Sequence, residues 1–250
     1  MRPLGAERRR TAQRMRNLSS RIGRYVTCYR ELASGVRPDS LEKIIDYCLD
    51  RPIILNQSRF EILRLGELLQ SRAPMRSLEI GTSFGGTLYF LFALSPPGAK
   101  VISVDLPSGP FGGGYPLRKV PLYRKFPIAG QRLSLIRANS HAPETKERVL
   151  RILGGELLDY LFIDADHTYR GVELDFQMYS PLVRSGGVVA FHDIVTHKQG
   201  SACDVARFWG EVKQRYDHLE FVDAPPNSGL PLTIHGDQMD TSGIGVVFIP

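Results

Sequence analysis

The apolar positions of this chain follow two successive patterns. Up to about residue 74 they recur at helical spacing. A short helix is expected over Ile22–Leu32. Pro38-Asp39-Ser40 then caps a helix from Leu41 to Cys48, with Leu41, Ile44, Ile45 and Cys48 on one face. Asn56-Gln57-Ser58 opens another, filled by Phe60, Ile62, Leu63, Leu65, Leu68 and Leu69 and ended by Ala73-Pro74. From residue 75 short apolar runs alternate with amphipathic stretches. Strands are expected at Ser77–Ile80, Lys100–Val104, Leu133–Arg137, Leu158–Ile163, Val188–Phe191, His218–Val222 and Gly243–Ile249. Helices are expected at Gly85–Leu94, Pro143–Leu153, Tyr169–Leu182 and Asp204–Tyr216, with Arg184-Ser185-Gly186-Gly187 as the turn before the fifth strand. Strands joined by helices of this length are βαβ units. The fold class is therefore α/β, a doubly wound, mostly parallel sheet of seven strands. The last two strands have no helix between them and are expected to form an antiparallel hairpin at one edge. Three regions follow: a basic tail over 1–24, N-terminal helices over 25–74, and a ligand-binding domain over 75–250.

Charge changes this picture only at the start. The chain of 250 residues carries a net charge of +6, and residues 1–24 hold eight arginines against one glutamate. The basicity thus belongs to the tail, where Arg8-Arg9-Arg10 favours fraying or disorder. A nucleic-acid role would want a basic stripe on the domain itself, so nucleic acid is not an expected partner. An arm in a homo-oligomer suits the tail better. The longest apolar runs, such as Leu88–Leu94, are too short to span a bilayer, and no membrane partner is expected. Cys28, Cys48 and Cys203 are odd in number and widely spaced, which fits a reducing, cytoplasmic setting.

Candidate chemistry collects at the strand ends. In an open α/β sheet ligands bind there. The first strand runs into Gly81-Thr82-Ser83-Phe84-Gly85-Gly86, a glycine turn leading into a helix. Gly81 allows the sharp turn, and Gly85 and Gly86 are expected to keep side chains clear of a ligand. The second strand ends at Asp105, 24 positions after Gly81. An acid there accepts hydrogen bonds from both hydroxyls of a ribose. Glu79 would hold the far end of the ligand or brace the turn. The third strand leads to Asn139-Ser140-His141, the fourth to Asp164-Ala165-Asp166-His167, the fifth to His192-Asp193. Helix caps and turns favour Asp, Asn and Ser too, but five strand ends in succession point to a site. Ser83 stands where a dinucleotide fingerprint has glycine. That disfavours an NAD-dependent oxidoreductase and favours S-adenosylmethionine.

These segments, with Val104-Asp105 and Phe191-His192-Asp193-Ile194, resemble class I S-adenosylmethionine-dependent methyltransferases, in the branch of macrocin-type O-methyltransferases and cephalosporin hydroxylase-like proteins. The resemblance covers roughly residues 55 to 250. It implies a Rossmann-like seven-stranded sheet with the last strand antiparallel. It implies cofactor contacts from Glu79, Gly81, Thr82, Ser83, Gly85, Asp105 and Asp164, with Ser140 near the adenine. It further implies a divalent cation, Mg²⁺ or another, on Asp164, His192 and Asp193. His192 departs from the acid usual there, and an imidazole moves the preference toward Mn²⁺, Fe²⁺ or Zn²⁺. Asn139 departs likewise from an acid. The reaction implied is methylation of a hydroxyl on a small molecule such as a sugar or natural product, with Asp166 and His167 as candidate bases. Phe111, Tyr115 and Tyr123 in the loop 107–126 would pack on the acceptor, and Arg118, Lys119, Arg124 and Lys125 would receive an acidic group. Residues 225–242, with His235 and Asp237, would form a second lip. The competing reading from another class is a non-catalytic cofactor-binding module acting through its Arg-rich tail.

Overall fold

One helix, Gly86–Leu94, is apolar on nearly every side, and much of the chain serves to cover it. Its residues Gly86 to Phe92 are all buried, as expected of a helix without a polar stripe. The computed structural model describes residues 4–49, 51–111, 113–197, 202–223 and 242–250, with side chains from residue 19 onward. The elements are α1 (Leu4–Ala33), α2 (Leu41–Leu49), α3 (Arg59–Arg72), β1 (Arg76–Ile80), α4 (Gly86–Leu94), β2 (Lys100–Asp105), α5 (Val120–Tyr123), β3 (Arg132–Arg137), α6 (Pro143–Leu153), β4 (Leu158–Ile163), α7 (Tyr169–Tyr179), β5 (Val183–His192), α8 (Val205–Val212), β6 (His218–Phe221) and β7 (Ile244–Phe248).

Among the described residues seven strands form one sheet in the order β3-β2-β1-β4-β5-β7-β6. All neighbouring pairs are parallel except those of β7, which runs antiparallel to both β5 and β6. Alternation along the strands divides the core in two. Tyr160 and Phe162 of β4 join Leu88, Phe90 and the N-terminal helices on one face. Leu161 and Ile163 join Val149, Val172, Phe208 and Trp209 on the other. Cys28 and Leu32 of α1 and Ile44, Ile45 and Cys48 of α2 lie in the first of these clusters. The helices before residue 75 therefore form part of one layer of the sandwich.

Several elements differ from expectation for visible reasons. α1 runs through the basic segment as well as Ile22–Leu32. α7 stops at Tyr179 and passes through a single 3₁₀ turn, Ser180–Leu182. β5 begins at Val183, so the expected turn Arg184-Ser185-Gly186-Gly187 lies inside the strand. Its register against β4 shifts between Leu158 and Tyr160, Arg184 Nε bonds Asp159 at 2.6 Å, and Gly186 N–H reaches Ile249 O at 2.7 Å. A bulge of this kind absorbs glycines without ending the strand. In the stretch 107–130, where the sequence has no period, a 3₁₀ turn at Leu117–Lys119 leads into α5. The lip expected at 225–242, with His235 and Asp237, lies outside the described residues apart from Ser242.

Candidate active site

The strand order reverses between β1 and β4, and a cleft opens at their carboxyl ends, as the rule for doubly wound sheets requires. It is lined by Gly81, Ser83, Asp105, Ser140 and Asp164, polar groups converging on an open mouth. Gly81 stands at its back with φ 96°. A Cβ on Gly81 would lie 1.9 Å from the Asp164 carbonyl oxygen, so the two strand ends can meet only because residue 81 has no side chain.

One wall is built around Asp105. Its Oδ2 accepts the backbone N–H of Ser83 at 3.0 Å and of Tyr115 at 3.2 Å. Burial pushes the Asp105 carboxyl up, and these N–H groups oppose the rise. Oδ1 lies beside Gly114, where a Cβ would approach it to 2.9 Å. Ser83 holds φ 46°, unusual for a residue with a side chain. Asn139, Ser140 and His141 line the next stretch of wall. His141 Nε2 lies 3.4 Å from Oδ1 of the fully buried Asp175 and 3.2 Å from Gly171 O. That carboxylate, working against burial, raises the imidazole above its ordinary value.

The opposite wall carries an ionisable cluster. Asp164 Oδ1 lies 3.4 Å from His192 Nδ1 and 3.7 Å from His167 Nε2. Asp193 Oδ2 lies 3.5 Å from His192 Nδ1 and 3.5 Å from His167 Nδ1, and its Oδ1 is 3.2 Å from His197 Nε2. Burial disfavours charge on Asp164, His167, His192 and Asp193. The Asp164 and Asp193 carboxylates nonetheless raise His192 well above the usual imidazole range, and both acids are held below theirs. His167 is raised in the same way against its own burial. Asp193 sits at φ 61°, a cost of order 1–3 kcal/mol that turns its side chain into the cluster. The Phe111 ring stacks on His167, with centroids 4.9 Å apart.

The structure sorts the predicted site residues. Gly81, Ser83, Asp105, Ser140, Asp164 and Asp166 line the cleft, and His167, His192 and Asp193 stand behind Asp164 in the cluster. Glu79, Thr82 and Gly85 lie beneath or beside the turn. Glu79 is wholly buried and accepts a hydrogen bond from Thr87, and burial pushes its carboxyl up to about 8. Thr82 bonds Ser103 at 2.5 Å. A Cβ on Gly85 would strike the Tyr123 ring at 2.5 Å and one on Gly86 the Ile54 carbonyl at 2.3 Å. These two glycines admit the chain's own neighbours, and the expectation that they make room for a ligand is corrected. Asp166 spends Oδ1 on the N–H and hydroxyl of Thr168, at 3.0 and 2.8 Å, as a turn former ahead of α7. Of the loop residues expected to touch an acceptor, Phe111 alone borders the cleft. Tyr115 and Tyr123 are core residues, and Lys119 donates to the carbonyls of Pro52 and Phe84.

Two site residues escape a reading of strand ends. Gln57 donates from Nε2 to Asp164 Oδ2 at 3.0 Å. Glu61 is 1% exposed. One oxygen completes the capping box with Ser58 and lies 3.7 Å from His192 Nε2, and the other accepts Gly243 N–H at 2.8 Å. The signal for Glu61 was the Ser58-x-x-Glu61 spacing at a helix start. Gln57 had none.

Comparison with known proteins bears on the fold. Residues 78–194 match the family model of a methyltransferase domain. An O-methyltransferase from Bacillus cereus, solved in complex with SAH, superposes with a TM-score of 0.56 at 15% identity, covering 88% of this chain and 96% of that one. The O-methyltransferase TomG from Streptomyces achromogenes, involved in tomaymycin synthesis and solved with SAM, gives 0.51 at 18% identity over 86% and 91%. The fold is thus the Rossmann-like methyltransferase fold. The uncharacterised protein y4gI of Sinorhizobium fredii is 25% identical over 176 residues, 69% of this chain, and the chain spans 18% of the length of that curated relative.

Proposed function

We propose that the chain transfers a methyl group from S-adenosylmethionine to a hydroxyl of a small molecule, such as a sugar or natural product. The observation that carries this reading is the pairing of two unlike walls across one cleft: an acid with an oxygen beside Gly114, and an imidazole–carboxylate cluster. Asp105 takes the ribose hydroxyls, Ser140 borders the adenine, and the backbone of Gly81 and Ser83 meets the rest of the cofactor. The methyl carbon then lies toward Asp164.

The acceptor oxygen attacks the methyl carbon in line as the carbon–sulfur bond breaks, leaving a neutral thioether. The hydroxyl proton passes to the neutral imidazole of His167, and the flanking carboxylates of Asp164 and Asp193 stabilise the imidazolium that forms. Asp166, already bonded to Thr168, orients the turn that carries His167.

A divalent cation suits the donor set. Asp164, His192 and Asp193 offer three ligand atoms within 4.8 Å of one another, and the outer nitrogen of His192 lies 3.7 Å from the buried carboxylate of Glu61, which a small shift would bring into position to orient a metal-bound imidazole. When bound, such an ion would lower the pKa of an acceptor hydroxyl and position it.

Calorimetry with S-adenosylmethionine, S-adenosylhomocysteine and NAD tests the cofactor, with binding of the first two expected. A panel of hydroxylated acceptors, with and without EDTA, tests the reaction. His167→Ala should lower turnover 100-fold or more and leave cofactor affinity within a factor of two or so; Asp166→Asn should lower turnover less. Wild-type rates in the His167 variant would rule out its role as base. Binding of NAD in place of S-adenosylmethionine would rule out the whole reading.

A further inference from the structure

Behind the cleft the ionisable cluster continues past the three residues assigned to a cation. His167, Asp193 and Cys203 bring an imidazole nitrogen, a carboxylate oxygen and a sulfur within 4.8 Å of one another. Bonds of about 2.0–2.3 Å at tetrahedral angles set neighbouring ligands roughly 3.3–3.8 Å apart. The 3.5 Å between His167 Nδ1 and Asp193 Oδ2 already meets that spacing. Cys203 is held in place by the backbone: the N–H of the next residue, Asp204, bonds His167 O at 2.8 Å, and α8 starts one residue later. His167 is held from its other side by Phe111. Two of the three ligands are thus fixed to each other through main chain, and Asp193 is fixed by its left-handed backbone.

The donor chemistry selects the ion. Mg²⁺ wants oxygen ligands in an octahedron, and this set offers one carboxylate. A thiolate, an imidazole and a carboxylate with one open position is a ligand set for Zn²⁺. We propose that His167, Asp193 and Cys203 form a second cation site, selective for Zn²⁺ over Mg²⁺, whose occupation takes His167 out of proton transfer and switches methyl transfer off. The inhibitory half rests on the reading of His167 as the base; the site itself does not. Asp193 belongs to both cation sites, so an ion in the second also competes for a ligand of the first.

The test uses the whole chain, stripped of metal. Titration with Co²⁺ should give the near-ultraviolet thiolate-to-cobalt charge-transfer band in the wild type and none in Cys203→Ser, and Zn²⁺ should abolish the band at stoichiometric addition. Cys28 and Cys48 are 0% exposed and far from offering this signal. With an acceptor in hand, Cys203→Ser should keep the basal rate, and its midpoint for Zn²⁺ inhibition should rise at least tenfold. If Cys203→Ser loses its thermal transition, Cys203→Ala takes its place. Absence of the band, or the same band in the variant, overturns the site. Equal inhibition of both proteins overturns the switch. Should no acceptor be methylated, the cobalt spectra still decide the site, so its failure and the failure of the methyltransferase reading are distinguishable.

Discussion

Asp105 and Glu79 are both strand-borne acids near the glycine turn, and their neighbours give them opposite tasks. Asp105 has one oxygen bonded to two backbone N–H groups and the other beside Gly114 in the cleft wall. Asp105→Asn replaces a carboxylate with an amide at this wall, and hydrogen bonds to charged groups contribute about 1.5–3 kcal/mol each. Calorimetry should find the affinity for S-adenosylmethionine reduced by about 10- to 100-fold. Glu79 has no solvent at all. Burial makes its carboxyl keep its proton up to about pH 8 in the folded state, well above the ordinary glutamate range. The folded state therefore binds this proton more tightly than the unfolded state. The contribution to stability is intact below the unfolded value, falls as pH rises toward about 8, and is flat beyond. Glu79→Gln should remove this slope, worth on the order of 5 kcal/mol. Denaturant midpoints between pH 5 and 9 check it: parallel curves for the two proteins would exclude a buried, protonated Glu79.

At the scale of elements, α3 is the part whose role exceeds its position in the chain. It presents Glu61 to its own N-terminus, to Gly243 and toward His192 at once. Glu61→Ala removes half the capping box and strands a buried N–H. A loss of about 2–4 kcal/mol is expected in equilibrium unfolding, and Glu61→Gln should recover part of it. The loop before α5 acts on the opposite side of the cluster. Phe111→Ala removes the ring stacked on His167. Acceptor KM should rise about three- to tenfold, from a stacking contribution of about 0.5–1.5 kcal/mol, while cofactor affinity holds. An equal rise for both ligands would argue that the loop does not form the acceptor side. The sequence hid the distinction between Phe111 and its neighbours Tyr115 and Tyr123. All three are aromatics in a stretch without period, and the latter two are committed to the core: Tyr123 donates its hydroxyl to Ser83 O, and the Arg137 guanidinium lies over the Tyr115 ring.

The whole molecule explains what could be read in advance and what could not. Strands such as Leu158–Ile163 are near-continuous apolar runs because the sheet is covered on both faces, and that signal survives without any structure. Asp105, Asp164 and Asp193 were legible because polar residues end such runs. Gln57 was not, since it meets Asp164 across 107 positions of sequence. The bulged start of β5 was not, since Gly186-Gly187 has the composition of a turn and its two backbone bonds with Ile249, beside the Arg184–Asp159 pair, keep it in the sheet. The region matched by the methyltransferase model starts at residue 78, yet α1, α2 and α3 supply part of the core, and Gln57 before α3 and Glu61 within it reach the site. A chain shortened to residues 75–250 leaves α4 uncovered. It should bind a hydrophobic dye and lose its cooperative thermal transition; a sharp transition near that of the full chain would show the domain to be autonomous.

The position of β7 bears on how the sheet is completed during synthesis. β7 follows β6 in the chain, yet it lies between β5 and β6 and bonds to both. Until residues 244–248 have left the ribosome, β5 has an unpaired edge where its final partner belongs, and β6 has no strand to join. Each is an adhesive edge of the kind that promotes association between nascent chains. The vulnerable interval is the time taken to translate from Phe221 to Ile244, so slow codons in that stretch would prolong the exposure and fast ones would shorten it.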